Sequence, residues 1–265
     1  MFRSKQFVFA LFLLSFLFCG CNPELDGVSD LSANKDTVPN RGALSETVLS
    51  APAVETTPDE SIVREVLESY SDDRHIGQRR HNKIEIDIVN NGPFRAYHPT
   101  NLAIIRFYSR EPSRKWELKQ TLEIEDDALE EAHPKFQDFS GDKLKDVTFI
   151  TGTAARGANE IRTLLIYDKT TDKLIHIENS KEFPNIEYNK KLKCVDAWRV
   201  YGGTATDFAQ IEGNRLRTFA IVENFDGLRT VSVFDPKGRE RIIRRDKISS
   251  DDLYTRYSNF RPLEY

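Results

Sequence analysis

From Ile84 onward, apolar and polar residues alternate with a period of two. Ile84, Ile86 and Ile88 are interleaved with Glu85 and Asp87, and Trp116, Leu118, Leu122 and Ile124 with charged or polar neighbours. Successive side chains of an extended chain point to opposite faces, so this alternation predicts half-buried strands. Leu102 to Tyr108, Asp146 to Thr151, Ile161 to Tyr167, Leu174 to Ile177, Leu192 to Val200, Phe208 to Ile211, Leu216 to Glu223, Thr230 to Phe234 and Arg241 to Arg244 continue the series. Short turns built of Asp, Asn, Gly and Pro separate them, as in YDKTTDKL, QIEGNRL, ENFDGL and FDPKGRE. None is long enough for a helical crossover, so neighbours pair antiparallel. The period is helical only in SIVREVLESY, where Ile62, Val63, Val66, Leu67 and Tyr70 fall on one side and Asp59 or Ser61 can cap the start. The expected fold is mostly β: an antiparallel meander, sandwich or partial propeller-like, with one short N-terminal helix.

Ahead of this region the chain changes character twice. MFRSKQFVFALFLLSFLFCGC has a basic start at Arg3 and Lys5, an apolar run from Phe7 to Phe18 too short to remain as a membrane span, and a small residue before a cysteine. It is an export signal. Its end, Phe18-Cys19-Gly20-Cys21, resembles a bacterial lipobox, with phenylalanine where leucine is usual. The resemblance implies a lipoprotein signal over residues 1–20 and lipid on Cys21, with Asn22 favouring the outer membrane. An ordinary cleaved signal is the alternative. Residues 21–59 then carry Pro23, Pro39, Pro52 and Pro58 among small polar residues, without an aromatic, and cannot bury enough apolar surface to order themselves. They read as a tether with a root-mean-square reach of roughly 35 Å. Residues 60–265 are left as one β domain.

Charge and cysteines narrow the chemistry. With 38 Lys and Arg against 42 Asp and Glu the net charge is −4, and loss of Arg3 and Lys5 with the signal leaves 36 against 42, or −6. With Cys19 removed and Cys21 lipidated, Cys194 has no intramolecular disulfide partner. It lies in the strand pattern LKCVDAWRV with no histidine near it in sequence, which suits a small core residue better than a catalytic thiol. The five histidines show no ligand spacing, and no G-x-S-x-G or phosphate loop occurs. The acids of EIEDDALEE read as a solvated face, and the interrupted basic clusters Arg74 to Lys83 and Arg239 to Lys247 do not imply nucleic acid in an exported protein.

One stretch stands apart. In DFSGDKLKD, Asp138, Ser140, Asp142 and Asp146 occupy positions 1, 3, 5 and 9, and the Leu144 carbonyl position 7. That alternation turns several oxygens onto one hard cation, as calcium requires. Position 12 is Phe149 within an apolar run, so a strand must follow and not a helix. The stretch resembles the calcium loop of FG-GAP or VCBS-type repeats, departing from it at Lys143, where glycine is usual and a side chain adds conformational cost and positive charge. The wider order from Lys135 to Val222, KFQDFSGDKLKDVTFITG followed by RTLLIYDKTTDKLIHIEN and FPNIEYNKKLKCVDAWRVYGGTATDFAQIEGNRL, resembles the periplasmic calcium-binding immunity lipoproteins that inhibit secreted peptidoglycan hydrolases.

That resemblance implies calcium as cofactor, a membrane contact through the lipid anchor, and a protein partner, a cell-wall hydrolase. TGTAARGANE, Thr151 to Glu160, and YGGTATD, Tyr201 to Asp207, are richer in Gly and Ala than structural turns require, and together offer a contact surface. A binding protein without catalytic residues is the expected class. An envelope enzyme acting on glycan through carboxylates not identifiable in sequence is the alternative.

Overall fold

A computed structural model describes residues 64–90, 101–126, 129 and 131–261. The signal, Cys21 and the tether lie outside the described residues. Among those described, regular structure is almost all strand, in three antiparallel sheets that follow one another along the chain. The first holds β1 (Val66–Asp72), β2 (Asn82–Asn90), β3 (Asn101–Arg110) and β4 (Trp116–Asp126). The second holds β5 (Lys135–Gln137), β6 (Asp146–Ala154), β7 (Asn159–Asp168) and β8 (Lys173–Ile177). The third runs from β9 (Glu187–Asn189) through β10 (Cys194–Val200), β11 (Thr204–Glu212), β12 (Arg215–Phe225) and β13 (Leu228–Phe234) to β14 (Glu240–Lys247). Within each sheet every strand pairs with its neighbours in sequence, so the meander expected from the short turns is present, with no propeller closure.

The middle sheet is covered on both faces. Its Val147, Phe149, Leu165 and Tyr167 meet Ile84, Ile86, Ile105 and Phe107 of the first sheet in one core cluster. On its other side Leu164 and Ile166 join Val195, Ala197 and Ala209 of the third sheet. A strand buried on both faces loses the alternation of a half-buried one, which is why the β7 sequence LLIY, Leu164 to Tyr167, is a continuous hydrophobic run. A third cluster, of Cys194, Phe208, Val222, Val231 and Phe260, closes the outer face of the third sheet beneath the C-terminal segment. Burial pushes the Cys194 thiol up to about 12, with Asp196 adding to the rise, so the sulfur behaves as a small core group.

Among the described residues the expected N-terminal helix is not seen. Ile62 and Val63 lie outside the described residues, but Val66 to Asp72 form the edge strand β1, paired with β2. Val66 and Leu67, placed on the buried side of a helix by their spacing, are 55% and 48% exposed at the sheet edge. Of the described members of that set Tyr70 alone turns inward, with its ring 6.3 Å from that of Phe136. The open edge of β2 and the inward anchors Tyr70 and Asp72 outweigh a local helical preference worth only tenths of a kcal/mol per residue.

Leu67→Ser should change unfolding free energy in urea by no more than about 0.5 kcal/mol, as for an exposed position, whereas Tyr70→Ala should cost about 1.5–3 kcal/mol. A large cost at Leu67 would restore the helix.

Candidate functional site

The acidic loop forms the entry to β6. Asp138 Oδ1 accepts the Gly141 N–H at 2.7 Å and its Oδ2 the Lys143 N–H at 2.9 Å, while Asp142 Oδ1 accepts the Leu144 N–H at 2.7 Å. Gly141 and Lys143 have φ of 79° and 74°, so the backbone makes the left-handed turn that glycine adopts without strain and that Lys143 adopts at some cost. The loop thus bends sharply at the position where lysine stands in place of the usual glycine.

Asp146 differs from the others. It is fully buried, and its carboxylate takes three backbone donors: Oδ2 accepts from Phe139 at 2.7 Å and Ser140 at 3.0 Å, and Oδ1 from Tyr167 at 2.9 Å. The first two donors belong to the loop and the third to β7, just beyond the last β6–β7 backbone pair. One side chain therefore joins the loop to the middle sheet. Burial pushes this carboxyl up to about 7, against the pull of the Tyr167, Ser140 and Phe139 hydrogen bonds, and the nearby Asp142 carboxylate adds to the rise.

The five oxygen-bearing positions singled out in the sequence thus occupy one loop, with Ser140 and Asp142 exposed on its rim and Leu144 half-buried. Among the described residues, no three His, Cys, Asp or Glu side chains converge as a metal cage, and Asp146 directs both oxygens at amides. Asp138 and Asp142 keep lone pairs beyond those their amide contacts use. The remaining lone pairs lie on the rim, and the base of the loop is already occupied by protein donors.

The two glycine-rich segments come together at one end of the β6–β7 and β10–β11 hairpins. Asn159 donates through Nδ2 to the Val200 carbonyl at 2.9 Å and accepts the Val200 N–H at 2.8 Å. Asn185, itself left-handed at φ 52°, donates to the carbonyls of Ala158 and Trp198 at 2.9 and 2.8 Å and accepts the Glu160 N–H at 3.1 Å. The tip between them, 153–158, is exposed, and Ala155, Arg156 and Gly157 are all left-handed. At the other turn, Tyr201 stacks on Phe225 at 6.2 Å and donates its hydroxyl to Glu223 at 2.6 Å.

Below these loops, between the second and third sheets, lies a polar cleft of about 540 Å³ that the sequence does not signal. Its floor is Phe139, Thr148 and Ile186, and its walls carry Lys135, Gln137, Glu160, Glu187, Trp198 and Arg256. Glu160 accepts from Lys135 and from buried Arg162, both at 2.9 Å. Burial opposes its ionisation, but the Lys135 hydrogen bond and the Arg162 charge outweigh that and hold its carboxyl below the usual range. Arg256 donates to Asp196 at 3.0 Å and lies 3.6 Å from Glu187. These groups come from separate elements with no local spacing, so no motif could have found them.

No protein-family model matches the chain, and no curated protein matches it. A solved structure of a Xanthomonas type IV secretion system related protein is similar over 67% of this chain and 94% of its own, with a TM-score of 0.43 and 10% identity.

Asp146 generates a pH test. Its folded pKa, about 7, lies above the unfolded carboxylate value of about 3.9, so the native state holds the proton longer and this group's stabilising contribution fades as pH rises from about 4 to about 7. Asp146→Asn should be destabilised at every pH, because its amide opposes a backbone donor, and the gap to wild type should narrow across that window. Urea unfolding in chelator at several pH values measures it. A gap that widens with pH would mean that the three donors win over burial.

Proposed function

We propose that this protein is a lipid-anchored binding protein of the bacterial envelope, held to the outer membrane through Cys21, whose β domain grips a protein partner by the paired loops 151–160 and 201–207. The observation that carries the reading is the double amide clamp. Asn159 and Asn185 fix two segments far apart in sequence into one surface, while the tip 153–158 protrudes from it. A loop fixed before contact loses less entropy on binding, which favours recognition by a rigid surface. Arg156 and Tyr201 are its prominent side chains, and an arginine and a tyrosine are the residue types that anchor protein interfaces. The partner class follows from the resemblance of Lys135 to Val222 to the immunity lipoproteins: a secreted peptidoglycan hydrolase.

Calcium belongs to the same proposal, at Asp138, Ser140, Asp142, the Leu144 carbonyl and Asp146. Support comes from three carboxylates within one nine-residue turn and from the left-handed backbone at Lys143. Bound there, the cation would offset the mutual repulsion of Asp142 and Asp146, whose proximity already lifts the Asp146 carboxyl. The enzymatic alternative asks for a carboxylic acid kept protonated to serve a glycosidic oxygen. In the cleft, Glu160 is held ionised by Lys135 and Arg162, which suits an acceptor and not a proton donor.

The test is capture of hydrolase activity from envelope extract by the full-length protein, in calcium and in chelator. Arg156→Ala with Tyr201→Ala should weaken capture tenfold or more without lowering the melting temperature. Calcium at about a hundredfold excess over its dissociation constant should raise that temperature by several degrees, a gain of about 2.7 kcal/mol that Asp142→Ala should remove. Undiminished capture by the loop variant would overturn the partner surface, and identical melting in both buffers would overturn the calcium.

A further inference from the structure

The cleft between the second and third sheets has features that a partner surface at the loops does not explain. It is concave, and its volume of about 540 Å³ falls in the small-molecule range of about 300–1,000 Å³. Its charged walls balance, with Lys135 and Arg256 against Glu160 and Glu187, so it offers both strong donors and strong acceptors without net attraction for an ion of either sign. The groups are held in place. Glu160 is fixed between Lys135 and Arg162, and Arg256 between Asp196 and Glu187.

An aromatic wall and one further donor are available. Trp198 lines the cleft, while its indole nitrogen is closed off from solvent. Gln137 uses its side-chain oxygen on the Tyr188 N–H at 3.4 Å, and its amide NH2 forms no hydrogen bond among the described residues.

A ligand matched to this set must be uncharged, must carry several hydroxyl or amide groups spaced around its edge, and must tolerate an aromatic wall. Saccharides meet all three conditions, since their hydroxyls both donate and accept while their ring faces are apolar. We infer that the cleft is a saccharide-binding site, with Trp198 as the wall for an apolar ring face, Gln137 as a donor to ring substituents, and Glu160 and Glu187 as acceptors for hydroxyls. The site is separate from the loop tip 153–158, and it requires neither calcium nor a partner protein.

Isotope-labelled full-length protein provides the readout. The chain has two tryptophans, Trp116 and Trp198, hence two indole N–H resonances in a proton–nitrogen spectrum, one of which reports on the cleft. The probes are the β-linked disaccharides of N-acetylglucosamine and of glucose, titrated to tens of millimolar. The expected result is a saturable shift of the Trp198 resonance with Trp116 unmoved, from both disaccharides or from the acetylated one alone. Glu187 is 65% exposed, so Glu187→Gln should leave the fold intact while weakening binding about tenfold, the usual effect of removing a charged acceptor. Trp198→Leu should weaken binding several-fold by removing the aromatic wall. Absence of a Trp198 shift with either disaccharide would overturn the inference, as would undiminished affinity in Glu187→Gln.

Discussion

The Asp146 carboxylate fixes the place of the acidic loop in this molecule. A carboxylate carried out of water costs several kcal/mol, and this one is fully buried at the start of β6. Three backbone donors, two from the loop and one from β7, at about 1.5–3 kcal/mol each, offset part of that cost, and burial still holds the carboxyl up at about 7. The donors are available only if the chain turns sharply between Phe139 and Lys145, and that turn is what places Gly141 and Lys143 in left-handed backbone. The strain at Lys143 is thus a consequence of satisfying Asp146. The same geometry sets Phe139 into the core cluster shared with the third sheet and into the floor of the polar cleft.

Burial of the middle sheet on both faces extends the argument to the loops. Since β6 and β7 contact a sheet on each side, their outward hairpin end is carried on a core that leaves little room for movement. The tip 153–158 stands on that rigid base, and Asn159 and Asn185 tie it to the turn after β10. Clamp, cleft and acidic loop all depend on the register of β6 against β7, which Val147↔Leu165 and Phe149↔Thr163 define.

Much of this was legible in the sequence because its causes are local. Period-two alternation in Ile84 to Ile88 and the short Asp, Asn and Gly turns state antiparallel neighbours directly, and the turn chemistry of DFSGDKLKD states a bend at Lys143. The edge strand β1 was not legible, since Val66, Leu67 and Tyr70 have helical spacing and only the unpaired side of β2 decides otherwise. Nor were the donors to Asp146: Phe139, Ser140 and Tyr167 are brought to its carboxylate by the bend of the loop and by a hairpin that returns Tyr167, 21 residues on, beside it. The cleft is a third case, because Glu160, Glu187, Trp198 and Arg256 meet only when two sheets stack. Pairing of the two glycine-rich loops was expected from composition, but the asparagines that enforce it carry no signal of their own.

Native-state hydrogen exchange at three amides tests the central claim most directly. If the Asp146 carboxylate joins the loop to the middle sheet, the Phe139, Ser140 and Tyr167 amides should be protected to the same extent as the interior amides of β6 and β7, and should open with them as one unit. Exchange of Phe139 and Ser140 on the order of a hundredfold faster than that of Val147 and Leu165 would contradict it, because the loop would then move independently of the sheet it is held to anchor.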